Sequence, residues 1–408
     1  MASSFAWLDY CESERRKALD LIHAFRDQGT LDELGIGTTR DALSDLLFPG
    51  TSTIQTRAKY HLFIPWMYQE LEQEIASRGR YASKQAIERE ARSREVKLIH
   101  SLANSSDPEG TIGVEAKSSL RRLPSSVYWN GLGQWGIRLF SGTQDQYHES
   151  LTMHPKRYSV PSEDTESTPN PSNWHPGLPP RPEEFPNRAE FALNLQEAEY
   201  LQDRIMVRNP GTLLAFLVDR SDPKTTVEFP WHHPQFGSLP THVQEQLRHA
   251  RNFSEAIHGA TLLYNLMLAE KLQSEKLEAY RDSLSEWANM LHDRGDELAE
   301  WDLEALWITA DKEEQRVPEH SKRFIRRWIQ LVLEKDDTAR IVKDEQARAL
   351  ISNRERALKG SRARLHNRRA LEMWSGKSGA DRLDFRWRVV RRMIRDIRTP
   401  LQESSTHA

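Results

Sequence analysis

The sequence predicts a mainly α-helical protein in two parts, with a few short strands at most. Three observations carry that prediction. Apolar residues recur at helical spacing near both ends of the chain. The segment "SEAIHGATLLYNLMLA", residues 254–269, is apolar on nearly every face, which suits a helix at the centre of a bundle. Nine of the 20 prolines fall between His154 and Pro186, among Ser, Thr, Glu and Asn, and read as an extended linker between the parts.

Taken in order, Leu8, Leu19, Leu21, Ile22 and Phe25 mark a first helix that "RDQG" ends. A turn-rich stretch leads to Pro49-Gly50, after which Ser52 or Thr53 is placed to cap a helix running to about Ala76. Pro65 near its middle predicts a kink or two helices. The apolar load of that segment is Ile54, Leu62, Phe63, Ile64 and Trp66. A polar helix covers about 83–102. Pro124 and Ser125 then start a helix whose face is Val127, Tyr128, Leu132 and Trp135, in a span rich in glycine and tryptophan.

The proline-rich segment divides the chain into an N-terminal helical domain (1–153), a linker or long loop (154–187) and a C-terminal helical domain with a basic end (188–400). The alternative is a loop pinned across one continuous domain, with Trp174 and Phe185 as anchors. Beyond it, 189–207 is helical. "GTLLAFLVD" suits a buried strand or a helix equally, and "TTVEFPWHHPQFG" reads as a loop or edge strand. Three to five charged amphipathic helices follow through Arg398, and 401–408 reads as a disordered tail.

Composition narrows the function classes. A chain of 408 residues with 38% hydrophobic and 29% charged residues has length for more than one core. A single cysteine, Cys11, excludes a disulfide framework and a cysteine-rich zinc site. No apolar run approaches the roughly 20 residues of a membrane span, and the start lacks the pattern of a secretory signal, so a cytoplasmic protein off the membrane is expected. The net charge of -3 conceals an asymmetry: residues 322–398 hold 23 Lys plus Arg against 10 Asp plus Glu, a surplus of +13 that leaves -16 elsewhere. One basic and one acidic part point to a polyanion partner or to mutual docking.

Several catalytic signatures fail. "GIGTTRD" lacks the third glycine and the preceding strand of a dinucleotide site, and no Walker A sequence occurs. "HPKRYSVPSED" has Pro161 where a phospholipase D motif needs Asp. Asp107, Glu115 and Lys117, in "SDPEGTIGVEAK", offer two carboxylates and a lysine at a presumed strand end, the elements of a magnesium nuclease site, though exposed loop charges explain them as well. His232 and His233 adjoin, which points them apart on a strand and disfavours a shared metal.

Two binding patterns remain. The turn with Ser52, Thr53, Arg57 and Lys59 has the hydroxyls, cations and helix start of an anion site, or of an ordinary capped helix. In the basic region, "KRFIRRWIQ" offers Lys322, Arg323, Arg326 and Arg327, and "SRARLHNRR" offers Arg362, Arg364, Arg368 and Arg369. "DRLDFRWRVVRRMIRDIR" sets Leu383, Trp387, Val390, Ile394 and Ile397 as a docking stripe, with Arg388, Arg391, Arg395 and Arg398 along one flank. Arginine suits phosphate because its planar fork donates in pairs. Pairing with the acidic remainder is the competing account. Arg121, Arg122 and Arg138 fit a helix-turn-helix reading of 120–140, against an aromatic core segment.

The blocks "FAWLDYCESERRKALDLI", "RDALSDLLFPGTSTIQTRAKYHLFIPW", "LPSSVYWNGLGQWGI" and "HGATLLYNLMLAE" resemble the bacterial family catalogued as domain of unknown function 6361. That resemblance implies a place among mobile-element or phage-defence genes and transfers no catalytic residue. The expected function is a non-enzymatic, nucleic-acid-associated component of a defence or DNA-processing system. Its partners would be DNA rather than RNA and other proteins of that system, with no cofactor. The alternatives are the Asp107/Glu115/Lys117 nuclease and a protein-docking scaffold.

Overall fold

The computed structural model describes residues 32–78, 83–115, 120, 122–153, 172–311, 316–334 and 338–407. The expected first helix, Cys11, Lys117, Arg121 and the first half of the proline-rich segment lie outside them. Among the described residues there are fifteen α-helices and no strand; a bridge between Arg138 and Trp174 is the nearest approach to one. None of the helices is long and apolar enough to cross a membrane.

The chain forms two compact units, each assembled from distant pieces. One takes the described residues up to Leu43 together with Arg248–Leu383; the other takes Ser44–Leu247 together with the chain from Asp384 onward. The division therefore falls inside α1 (Gly37–Leu47) and α8 (Thr241–Leu272), not at the proline-rich segment.

In the first unit, α8 is buried on nearly every side from Asn252 to Ala269, as its apolar composition requires. Around it stand α9 (Leu277–His292), α10 (Gly295–Ala299), α11 (Leu303–Ala310), α12 (Glu319–Leu333), α13 (Glu345–Lys359) and α14 (Arg368–Glu372). Trp287 and Trp328 donate indole N–H groups to the carbonyls of Glu255 and Ala256, both at 2.8 Å. Gly259 lets the first of these rings approach: a Cβ there would lie 2.2 Å from Trp287. Asn265, fully buried, spends its amide on the carbonyls of Thr261 and Ser378 and its oxygen on Trp374 and the Ser378 N–H.

The second unit holds α2 (Tyr60–Arg78), α3 (Lys84–Ala103), α4 (Pro124–Gln134), α5 (Gln144–Met153), α6 (Leu195–Arg208), α7 (Leu213–Arg220) and α15 (Trp387–His407). Ser83 caps α3 through its side chain, and Asn194 and Glu197 form a capping box on α6. The core is aromatic: Tyr60, Phe63, Trp66, Tyr68, Tyr128, Tyr147 and Trp174 are all buried.

Several expectations are corrected. Helix α2 starts at Tyr60, so Ser52 and Thr53 do not cap it, and Ile54 is exposed. The Pro49-Gly50 turn is present, with Gly50 at φ +80° against Trp135, and residues after it run through further turns before helix geometry begins. Pro65 sits within this one helix near its start, where only the His61 carbonyl loses a donor. "GTLLAFLVD" supplies α7, capped by Thr212. "TIGVE" forms turns, not a strand, and Phe229 and Trp231 bury themselves in a loop with two short 3-10 turns. Seven helices follow α8; three of them have only five to eight residues, too short to display a period. The tail is helical through His407, α15 continuing past Pro400. Residues 172–187 are packed into the second unit: Trp174 and Phe185 are buried, and Trp66 donates to the Pro179 carbonyl at 2.8 Å.

Candidate nucleic-acid interface

Helix α15 has two faces. Trp387, Val390, Met393, Ile394 and Ile397 are buried, and the helix packs on α6 and α7. Leu383, expected in the same stripe, precedes the helix and is half-buried. Asp396 is the polar member of the buried side. It receives Arg57 Nε at 3.0 Å and the Ala58 N–H at 3.0 Å, and its side chain is 5% exposed. At the helix start, Arg386 pairs with Asp45 at 2.6 Å and donates to the Thr51 carbonyl at 2.8 Å. The helix is thus fixed in rotation by an apolar stripe and two charge pairs.

Fixing that face points the other outward. Arg388, Arg391, Arg392 and Arg395, with Lys224, line a groove of about 980 Å³ whose wall opposite α15 is the Pro223–Thr226 loop; Glu109 and Glu403 are its acidic members. Arg391 donates to the carbonyls of Thr226 and Val227 at 2.9 and 2.7 Å, and Arg392 pairs with Glu109. Arg388 and Arg395 are exposed and form no salt bridge among the described residues, although Arg395 acts electrostatically on the buried Asp396 carboxylate. Arg398 turns aside to the Ser221 carbonyl at 3.0 Å. The flank expected from the i, i+3, i+7 spacing is therefore brought together through Arg395. Arg392 joins it, a residue the spacing argument passed over because it belongs to a different helical row.

The remaining predicted cations belong to the first unit. Lys322 is buried against Asp311 at 2.6 Å, and Arg326 meets Glu304 beside Trp307. Arg327 donates to Gln346 and Arg364 to Glu33, while Arg368 pairs with Glu372. Arg323, Arg362 and Arg369 are exposed. Most charges in this set are thus met by acidic or amide groups of the same unit.

The turn at Ser52, Thr53, Arg57 and Lys59 holds carboxylates of its own chain. Arg57 is buried between Asp396 and Asp107, the latter at 2.6 Å, and lies over the Phe191 ring. Lys59 meets Glu197 at 2.9 Å and the Ala192 carbonyl at 2.6 Å. Ser52 gives its N–H to Gln55, and Thr53 is exposed. Asp107, held below the usual carboxylate range by its hydrogen bond from Arg57, is a charge partner, and Glu115 is exposed on a turn. Arg138 stacks on Trp129 and donates to the Trp129 and Gly142 carbonyls, so it faces inward. His233 bonds Ser221 Oγ at 3.1 Å. Among the described residues no three His, Cys, Asp or Glu side chains gather as metal ligands would.

A second cavity, about 510 Å³, lies between α3 and α5 beside α2. Its inner wall carries a chain of hydrogen bonds. Ser125 donates through N and Oγ to Glu95, and Gln144 donates to Ser125 Oγ and to the Tyr68 hydroxyl, which lies 2.9 Å from His148 Nε2. Burial lifts the Glu95 carboxyl to about 7 against the two Ser125 bonds, and lowers His148 to about 4.

No curated protein and no solved structure matches the chain. A family model spans residues 2–399, nearly the whole length, and the chain belongs to that family, the family of unknown function DUF6361.

Proposed function

We propose that the protein associates with DNA through the α15 groove, as a non-enzymatic component of a bacterial defence or DNA-processing system. The supporting observation is that Arg388 and Arg395 stand exposed and without a salt bridge among the described residues, on a helix locked in rotation by Trp387, Ile394 and Asp396. Seven residues of helix separate them, about 10 Å along the axis, or about three steps of one DNA strand. Among the described residues no aromatic side chain lines the groove, so they offer no platform for base stacking. Contacts of this kind position a backbone and carry no sequence information. The system-level part of the reading rests on the family resemblance.

The test is binding of a short duplex across a salt series. Each phosphate contact contributes roughly -0.9 to the slope of log affinity against log salt. Changing Arg388 and Arg395 together to Ala should flatten the slope by about 2 and weaken all sequences alike. An unchanged slope removes the groove from the interface. Tighter binding of duplex RNA reassigns the ligand, and magnesium-dependent cutting restores the nuclease reading.

A further inference from the structure

Glu109 occupies an odd position for a residue of a cation groove. Its carboxylate is 74% exposed yet paired with Arg392, and its backbone is held firmly. Arg57 Nη1 donates to the Glu109 carbonyl at 2.9 Å, Thr56 Oγ1 to the Gly110 carbonyl at 2.6 Å, and the Glu109 N–H goes to Asp107 at 3.3 Å. Gly110, at φ +95°, lies so close to Arg57 that a Cβ would come within 2.8 Å of its Cγ. The loop is thus clamped by a buried arginine, while the Glu109 side chain it projects is largely exposed and held by Arg392.

We propose that Glu109 stands in the place of one backbone phosphate in the free protein. Arg392 then joins the interface only when a polyanion displaces that carboxylate. The inference rests on the α15 reading and adds a contact residue and a control to it. The exchange is one singly charged oxygen acid for another, on the same guanidinium. Because Glu109 is exposed, releasing it requires little, as exposed ion pairs are weak and are screened by salt. In its resting position it also sets a negative charge among the groove cations, which disfavours weak or singly charged ligands. A polyanion that engages Arg388 and Arg395 first supplies the local concentration needed to displace it.

The experiment uses the full chain and a short DNA duplex at low and moderate salt, with four variants. Glu109→Gln should tighten binding about fivefold at low salt, because Arg392 then has no carboxylate to exchange, while the salt slope changes by less than the roughly 0.9 of one phosphate contact. Adding Arg392→Ala to that variant should abolish the gain. Glu403→Gln, which removes another acid of the groove, controls for net charge and should tighten binding less. Equal tightening by Glu403→Gln, or no change in Glu109→Gln while the Arg388/Arg395 double variant still weakens binding, overturns the inference and leaves the α15 assignment standing. If the double variant also binds as the wild type does, the α15 assignment itself falls, and the inference with it.

Discussion

Arg57 shows how far a residue's role depends on partners that no local pattern announces. Beside Ser52, Thr53 and Lys59 it reads as a phosphate ligand, but its carboxylate partners are Asp107 and the buried Asp396, the latter 339 residues away. Removing one member of a buried pair strands the other charge, which typically costs about 3–5 kcal/mol. Arg57→Ala should therefore lower stability by about that amount in urea unfolding; an unchanged midpoint would return the turn to the surface. Glu95 gives a second test, with a defined sign. Its folded pKa of about 7 lies above the unfolded value of 4.5. The stability it contributes is complete below pH 4.5 and is lost as pH rises through 7, about 3 kcal/mol in all. Burial that holds His148 at about 4 and His61 at about 3 acts in the opposite direction as pH falls. The comparison must therefore be with Glu95→Gln, which should gain on the wild type between pH 5 and 8. Parallel stability curves for the two proteins would show that Glu95 ionises freely.

At the scale of elements, the sequence was most legible where one helix carries its own evidence. The all-round apolar character of α8 placed it in a core, Ser83 marked the start of α3, and the Trp387–Ile397 stripe marked the docked face of α15. Legibility failed where the signal was shared between elements. "TIGVE" has strand composition with no neighbouring strand to pair with, and it forms turns. The one- and two-turn helices α10, α11 and α14 are too short for a period to emerge. The groove was half legible. Spacing found Arg388, Arg391 and Arg395, but Lys224 and Glu109 reach it from loops whose position is set by tertiary contacts alone. Gly259 tests the packing of α8 more sharply than its leucines do. Leu266→Ala should cost about 2–5 kcal/mol, as for any fully buried leucine. Gly259→Ala adds one methyl group against the Trp287 ring and should destabilise by about 1–3 kcal/mol, with a change in tryptophan fluorescence. A neutral Gly259→Ala would mean that the ring has room to move.

For the whole molecule, the proline-rich segment is where composition misleads most. A stretch with nine prolines looks like a boundary because prolines remove backbone donors, and composition cannot reveal whether side chains on either side of it meet. They do meet. Trp174 stacks on Tyr68 and donates to Glu72, and Phe185 stacks on Phe63, which ties the second half of the segment to chain before it; Phe191 packs against Tyr60 and joins chain before the segment to chain after it. Glu72 gathers donors from Tyr147, Asn173 and Trp174, so a buried carboxylate is satisfied both by chain before the stretch and by the stretch itself. The second unit is also completed by α15 from the far end of the chain. A protease site engineered between residues 154 and 171 should therefore yield two fragments that co-elute after cleavage and separate only in denaturant. The uncut and cut proteins should melt at similar temperatures, because the aromatic contacts persist without the peptide bond. Were the fragments to part under native conditions, with 188–408 folded alone, the segment would be a true linker. The discontinuous second unit would then be wrong, and the groove on α15 would have to be supported by the C-terminal half by itself.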